Sequence, residues 1–346
     1  MVECGVSYFG VRRLKLARQD LDDMARHGAT YVVHMLSELD WSYYYETMRE
    51  IVRTTHQAGL KAWIDPWGLG YVFAGDCDSP YVAAHPEVSQ IDQLGKVLPG
   101  ACPNRPEFMA FAKRWTDAAL GLGADMLFWD EPHLYLPEWF QQSGRWGCRC
   151  PTCRSLYKER FGEDMPTSEE DAGVMAFKAE TLMNFLRELL SYAKRQGARN
   201  AITVLPENYQ KKGLLDWQAI ASLDCVDNLG TDPYPFPSYA NQLNFGDHWR
   251  EYVLEYTDRI VKLTEEHHLE NHLWVEGFSL PNDDFGYLDQ VMDLAMDRGI
   301  QNLAVWGFDG HRDMSAFACE NPDKVWQQIG EGFRRVRTGQ HGTKLV

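Results

Sequence analysis

Long apolar runs are missing from this chain. No stretch of 18 apolar residues occurs, so no membrane-spanning helix is expected. The opening residues Met1-Val2-Glu3-Cys4-Gly5-Val6-Ser7-Tyr8-Phe9 carry an acid at position 3, with neither a basic n-region nor a long apolar h-region. No secretory leader is expected, and the reading is a cytoplasmic protein. Positive charge is also scarce: 34 Lys and Arg stand against 50 Asp and Glu, a net charge of −16. Nucleic-acid binding and a polybasic membrane anchor both need a basic face, so neither is expected. A Gly-rich phosphate turn is missing after the first β-rich run, where Phe9-Gly10-Val11-Arg12-Arg13 stands. That disfavours an open dinucleotide-binding sheet.

What is present suits a folded enzyme. The 346 residues are 45% apolar and 24% charged, the balance of an ordinary globular protein, and this excludes disorder as the main state. Twelve Trp, 16 Tyr and 16 Phe are present, Trp in excess, and large flat side chains suit a core. Such rings also line pockets that stack on sugar faces.

Short β-rich runs alternate with longer helical patterns. Strands are expected at about 3–9, 31–35, 60–65, 125–130, 201–205, 226–230, 272–275 and 302–306. One helix, about 42–58, stops at Ala58-Gly59. Another is expected to start at Asn104, with Glu107 three residues on as a capping box. Its apolar face is Phe108, Phe111, Ala112, Trp115, Ala118, Ala119 and Leu122. Further helices are expected through Phe177 to Leu189 and over about 247–267, 284–298 and 322–336. Eight β–α units close naturally into one (β/α)8 TIM barrel, spanning 1–346, with long irregular loops at about 67–103 and 132–170.

In such a barrel the active site lies at the C-terminal strand ends. Glu131, in Trp129-Asp130-Glu131-Pro132-His133, follows the fourth strand, and Glu276 closes the seventh. Two carboxyls facing each other across an aromatic-lined cleft are what glycoside hydrolysis needs: one protonates the leaving oxygen, the other attacks the anomeric carbon or activates water. His34, Asp65, Trp67, Asp130, His133, Glu207, Asn208, Asp232, Tyr234 and Trp306 fall at the same end and form the expected substrate-binding set. Each acid also has an ordinary reading, as a cap on the next helix or a partner for an Arg, and Trp306 suits the core as well as a pocket floor.

Cys148-Arg149-Cys150-Pro151-Thr152-Cys153 places three thiols in a CxCxxC run. With Cys102 from the preceding loop they form a four-thiolate set for a structural Zn2+ with no open position. Cys77 or His133 are alternative fourth ligands, and free or disulfide-bonded thiols are the alternative to metal. Cys4, Cys225 and Cys319 suit the core.

The acid-bearing fourth strand, Cys102-Pro103-Asn104 before a helix, and CxCxxC after the fourth strand together resemble glycoside hydrolase family 42, β-galactosidases of a large clan of retaining barrels with catalytic Glu on strands 4 and 7. Thr231-Asp232-Pro233-Tyr234 and Trp306 also look like that clan. The resemblance implies Glu131 as acid/base, Glu276 as nucleophile, and the four cysteines as a zinc site. Three departures stand out. Asp130 occupies the position where the clan carries Asn, no Arg closes the second strand, and the extra domains of family 42 are not expected. These point to a glycoside substrate other than a β-galactoside.

The expected activity is a retaining glycosidase with a carbohydrate substrate. A raised pKa on Glu131 would let it donate a proton near neutrality while Glu276 stays ionised. One alternative is a metal-dependent sugar isomerase or epimerase, with Glu131, Glu207, Asp232 and Glu276 ringing a divalent cation; against it, no His stands at the ends of strands five to seven. The other is a non-catalytic carbohydrate-binding barrel. Many barrels pair, so a homo-oligomer stays open.

Overall fold

Strict alternation along short strands decides which side chains enter the barrel. The computed structural model describes residues 2–75, 77–137, 144–206, 216–236, 244–281 and 285–340. Eight parallel strands close on themselves: β1 (Glu3–Tyr8), β2 (Tyr31–Met35), β3 (Lys61–Asp65), β6 (Met126–Trp129), β7 (Asn200–Val204), β8 (Asn228–Thr231), β9 (Glu270–Glu276) and β10 (Asn302–Trp306), with β10 pairing back to β1. Between β3 and β6 lies a separate antiparallel hairpin, β4 (Ser89–Ile91) and β5 (Val97–Ala101). The expected (β/α)8 barrel is the observed fold.

Every second residue points inward. Tyr31, Val33 and Met35 of β2, Trp63 of β3, Met126 and Phe128 around β6, Ala201 of β7, Trp274 of β9 and Ala304 of β10 form one buried interior cluster. Tyr31 stacks on Trp63 at 4.2 Å, and Phe128 meets Trp274 at 5.4 Å. The interior is therefore a packed plug rather than a pore. Gly5 makes room for it: a Cβ there would lie 2.1 Å from the Tyr31 ring. His272 sits at the centre, its ring between Thr203 Oγ1 at 2.7 Å and Asn228 Oδ1 at 2.6 Å, and burial lowers its pKa to about 3. It is a neutral core histidine.

The outward faces pack on the helix layer. α1 (Leu14–Arg26), α2 (Glu38–Gln57), α4 (Pro106–Gly121), α6 (Ala172–Arg195), α8 (Trp249–His267), α9 (Phe285–Asp297) and α10 (Pro322–Arg337) carry it. On α4, Phe108, Ala112, Trp115 and Ala119 are fully buried, and Trp115 Nε1 donates to the Leu36 carbonyl at 3.0 Å. Burial of a ring like Phe108 contributes about 2–3 kcal/mol.

Three expectations need correction. The segment 67–103 is not structureless: besides the β4–β5 hairpin it holds the short helix α3 (Pro80–Ala84). Asp92 folds the hairpin tip, accepting from the amides of Leu94 (2.9 Å) and Lys96 (2.7 Å). The capping box also fails. Helix α4 starts at Pro106 with Arg105 at the N-cap and no side-chain cap; Asn104 stands one residue before that position, and its Nδ2 donates to Thr181 Oγ1 at 3.0 Å and Cys153 Sγ at 3.4 Å. Likewise the loop expected around the CxCxxC run contains helix α5 (Pro151–Phe161), whose N-cap is Cys150 itself.

Candidate active site

The same alternation that fills the interior carries acids into the mouth. Trp63 points inward, so Asp65 does too; Phe128 is followed two residues on by Asp130; Trp274 is followed by Glu276. Gly230 is the inward position of β8, against His272, and Asp232 lies two residues beyond it. Asp65 and Glu276 are fully buried, Asp130 and Asp232 nearly so, while Glu131 and Tyr234 keep partial exposure.

Glu131 leaves the strand in an unusual backbone conformation, φ +39°, with its amide donating to the Thr203 carbonyl at 3.1 Å. Positive φ in a non-glycine residue costs on the order of 1–3 kcal/mol, and such strain gathers at functional sites. The following turn is pinned on both sides. The Ala74 amide donates to the Asp130 carbonyl at 3.0 Å, the His133 amide donates to the Val72 carbonyl at 2.9 Å, and the His133 ring sits 2.6 Å from the Glu131 carbonyl. Burial lowers the His133 pKa to about 4, so it supports the turn as a neutral ring.

The electrostatics bind these acids into one group. Burial pushes the Asp65 carboxyl well above its ordinary range, and the charges of Asp130 and Glu131 push the same way. Asp232 is raised to about 7, chiefly by burial; a hydrogen bond with Glu131 lowers it and the charge of Asp130 raises it. The Tyr234 phenol is raised by burial and then by Asp232, Asp130, Glu131 and Glu276 together, so both glutamates act on one ring. Glu276 Oε2 accepts from the Phe236 amide at 3.2 Å, and the buried Tyr287 ring packs on Phe236 at 4.9 Å and feels the Glu276 charge.

Aromatic rings wall the mouth. Trp67, nearly buried, packs on Phe9 at 4.8 Å, and Trp306 keeps partial exposure beside Phe278 at 6.1 Å and, nearly coplanar, His311 at 6.3 Å. Several buried polar atoms there have no partner among the described residues: both Asp65 carboxylate oxygens, Asp232 Oδ1, Trp67 Nε1, Trp274 Nε1 and His311 Nε2. Orphaned donors and acceptors of this kind call for a polar ligand or water. Phe9, Phe236, Tyr287 and His311 were not expected in this wall. The one local signal for His311 is the glycine at 307: a Cβ there would come within 1.9 Å of the imidazole.

Some expected site residues are elsewhere. His34 is not at the mouth. Its neighbours Val33 and Met35 take the inward positions, and its own ring turns outward to Thr55 Oγ1 on α2 at 2.9 Å, where burial lowers its pKa to about 3. Its role is structural. Glu38, just beyond, is likewise a buried anchor, accepting from the Gly70 amide, Ser79 Oγ and the Tyr81 amide. Trp129 faces outward, donating to Asn200 Oδ1 at 2.9 Å. Glu207 and Asn208 lie outside the described residues.

The cysteines assemble as the spacing suggests. The sulfurs of Cys102, Cys148, Cys150 and Cys153 lie within 4.8 Å of one another, all buried. Cys102 Sγ is 3.4 Å from Cys153 Sγ and 3.7 Å from Cys150 Sγ. Backbone amides point at the sulfurs: Cys150 N to Cys148 Sγ at 3.4 Å, and Cys153 N to Cys150 Sγ at 3.5 Å. Thiolates near 2.3 Å from one tetrahedral ion stand about 3.8 Å apart, so the set fits zinc. Cys77 is not part of it, its Sγ lying 3.1 Å from the Trp67 carbonyl, and His133 is held at Glu131.

No family model matches the chain, and no curated protein does. Solved structures do match in fold. The catalytic domain of a β-amylase from Paenibacillus polymyxa is 11% identical, with TM-score 0.66, over 95% of this chain and 98% of that one. An endo-1,4-β-mannanase from Rhizomucor miehei is 11% identical, with TM-score 0.64, over 97% and 95%. An endo-β-1,4-mannanase from Thermotoga petrophila is 13% identical, with TM-score 0.60, over 98% and 77%. At this identity the likeness is one of fold, the (β/α)8 barrel.

Proposed function

We propose that this chain is a retaining glycoside hydrolase, with Glu131 as acid/base and Glu276 as nucleophile. The observation that carries the reading is the gathering of Glu131 and Glu276, with Asp130 and Asp232, around Tyr234 at the C-terminal mouth of the barrel. Glu131 would protonate the glycosidic oxygen while Glu276 attacks the anomeric carbon. The glycosyl ester on Glu276 would then be hydrolysed by a water that Glu131 deprotonates. Trp67, Tyr234 and Trp306 would stack on the sugar, the orphaned Trp67 Nε1 would bond a hydroxyl, and the orphaned oxygens of Asp65 and Asp232 would accept from a polar group of the substrate. Support comes from the neighbours of the same fold, whose names are β-amylase and mannanase. The family 42 likeness gives the layout, and Asp130 argues for a substrate other than a β-galactoside.

The four cysteines would hold a structural Zn2+, which fastens the loop after Glu131 to the β4–β5 hairpin. A sugar isomerase built on a divalent cation is less well supported: among the described residues, the four cysteines are the one His/Cys/Asp/Glu group tight enough to hold an ion.

The test is turnover of aryl α- and β-glycosides by the wild type and by Glu131→Ala and Glu276→Ala, with and without brief chelation. Hydrolysis lost in both variants and insensitive to chelator supports the reading. Activity unaffected by either substitution overturns the assignment.

A further inference from the structure

The acids at the mouth exceed what two-carboxylate chemistry uses. Asp65, Asp130 and Asp232 surround Glu131 from three strand ends. Asp65 and Asp232 are more than nine-tenths buried, and the charged groups that act on them among the described residues, Asp130 and Glu131, are themselves acids. Neither Asp65 oxygen receives a hydrogen bond from a described residue, nor does Asp232 Oδ1. Strand alternation aims both side chains into the mouth. Two residues past Asp65, the buried Trp67 Nε1 also lacks a partner, so the same place offers a donor for a hydroxyl.

A carboxylate among like charges, with its oxygens accepting no hydrogen bond from a described residue, is poorly served by a neutral sugar. A hydroxyl brings one donor and no charge, and leaves the repulsion standing. An ammonium brings three donors and a positive charge to the Asp65 oxygens and Asp232 Oδ1, which have neither among the described residues. We propose that Asp232 and Asp65 form a cation subsite beside Glu131 that takes the ammonium group of an amino sugar. This rests on the glycoside hydrolase reading and narrows its substrate to glycosides of a free hexosamine, as opposed to the N-acetylated or hydroxyl-bearing unit.

The test is equilibrium binding to the full chain carrying Glu276→Gln, which separates recognition from turnover. The probes are glucosamine, glucose and N-acetylglucosamine, the same three in the galacto series, and methylamine. In at least one series the amino sugar should bind about tenfold or more tighter than both counterparts, and tighter than methylamine. Asp232→Asn and, separately, Asp65→Asn should abolish that preference while leaving the cooperative melting transition intact. Equal binding within both series overturns the inference, as does a preference that survives both substitutions, or methylamine binding as well as the hexosamine. Absence of binding by all seven probes overturns it too. The parent reading fails separately: neutral aryl glycosides hydrolysed through Glu131 and Glu276 with no amine preference sink the cation subsite alone, whereas hydrolysis indifferent to both glutamates sinks the catalytic assignment.

Discussion

Asp232 and Glu131 share a hydrogen bond across the barrel mouth, from the ends of two strands that are not neighbours in the sheet. Burial nevertheless raises Asp232 to about 7. The raised value has a consequence for stability. Between the unfolded pKa near 4 and the folded value near 7 the native state binds the extra proton, so stability falls as pH rises through that window. Asp232→Asn removes the titration. The variant should gain on the order of 2–4 kcal/mol over wild type at pH 8 relative to the same comparison at pH 4. Urea midpoints at the two pH values check it, and a pH-independent difference would show that Asp232 does not titrate there.

His34 supplies a prediction that follows from a misplaced expectation. It stands on a strand known to end at the mouth, yet its ring bonds Thr55 on the helix side. His34→Ala should cost about 2–4 kcal/mol, from the cavity and the lost hydrogen bond to Thr55 Oγ1, while KM on any accepted glycoside stays unchanged. A raised KM at unchanged stability would return His34 to the site.

The contrast between His34 and Glu276 shows what could be read in the sequence. The barrel was legible because eight apolar runs alternate with amphipathic helices, a pattern set by local physics. The acids were legible because each directly follows such a run, in Asp130-Glu131-Pro132 or at Glu276. His34 was misread because a run buried on both faces hides which parity points inward; the register Gly5↔Tyr31, with the Tyr31 ring filling the space over Gly5, decides it. The capping box failed: Arg105, not Asn104, holds the N-cap, and the Asn104 amide has a tertiary partner in Cys153, 49 residues away. Phe236 and Tyr287 were invisible for a similar reason: long-range packing brings them to the wall, and nothing in their local sequence marks them.

The two glutamates should separate by leaving group. Glu131→Gln should lower kcat/KM by about 10²–10⁴ on substrates with a poor leaving group, since protonation then limits the rate. On dinitrophenyl glycosides, which leave without help, the loss should be much smaller. Glu276→Gln should abolish turnover of both kinds, and azide added to Glu276→Ala should give glycosyl azide of inverted configuration. Equal losses on both leaving groups for Glu131→Gln would remove it from the acid role.

The cysteine quartet predicts a metal effect on folding rather than on chemistry. Hydrogen bonds within the quartet lower the Cys150 thiol, while the thiols of Cys102 and Cys153 are raised. The cluster also holds the loop after Glu131. Arg149 N donates to the Ile91 carbonyl at 2.7 Å, Arg145 Nε reaches Asp92 at 2.7 Å, and Gln90 Oε1 accepts from the Tyr135 amide at 3.2 Å. The purified chain should carry about one zinc per molecule by elemental analysis. Prolonged chelation, or Cys153→Ser, should lower Tm by several degrees and expose the loop to protease between Glu131 and Cys148, because the unbound thiols leave a buried polar knot without its cross-link. Brief chelation that leaves the ion in place should not change kcat. Full zinc removal with an unchanged Tm and an unchanged cleavage pattern would show that the quartet does not depend on metal.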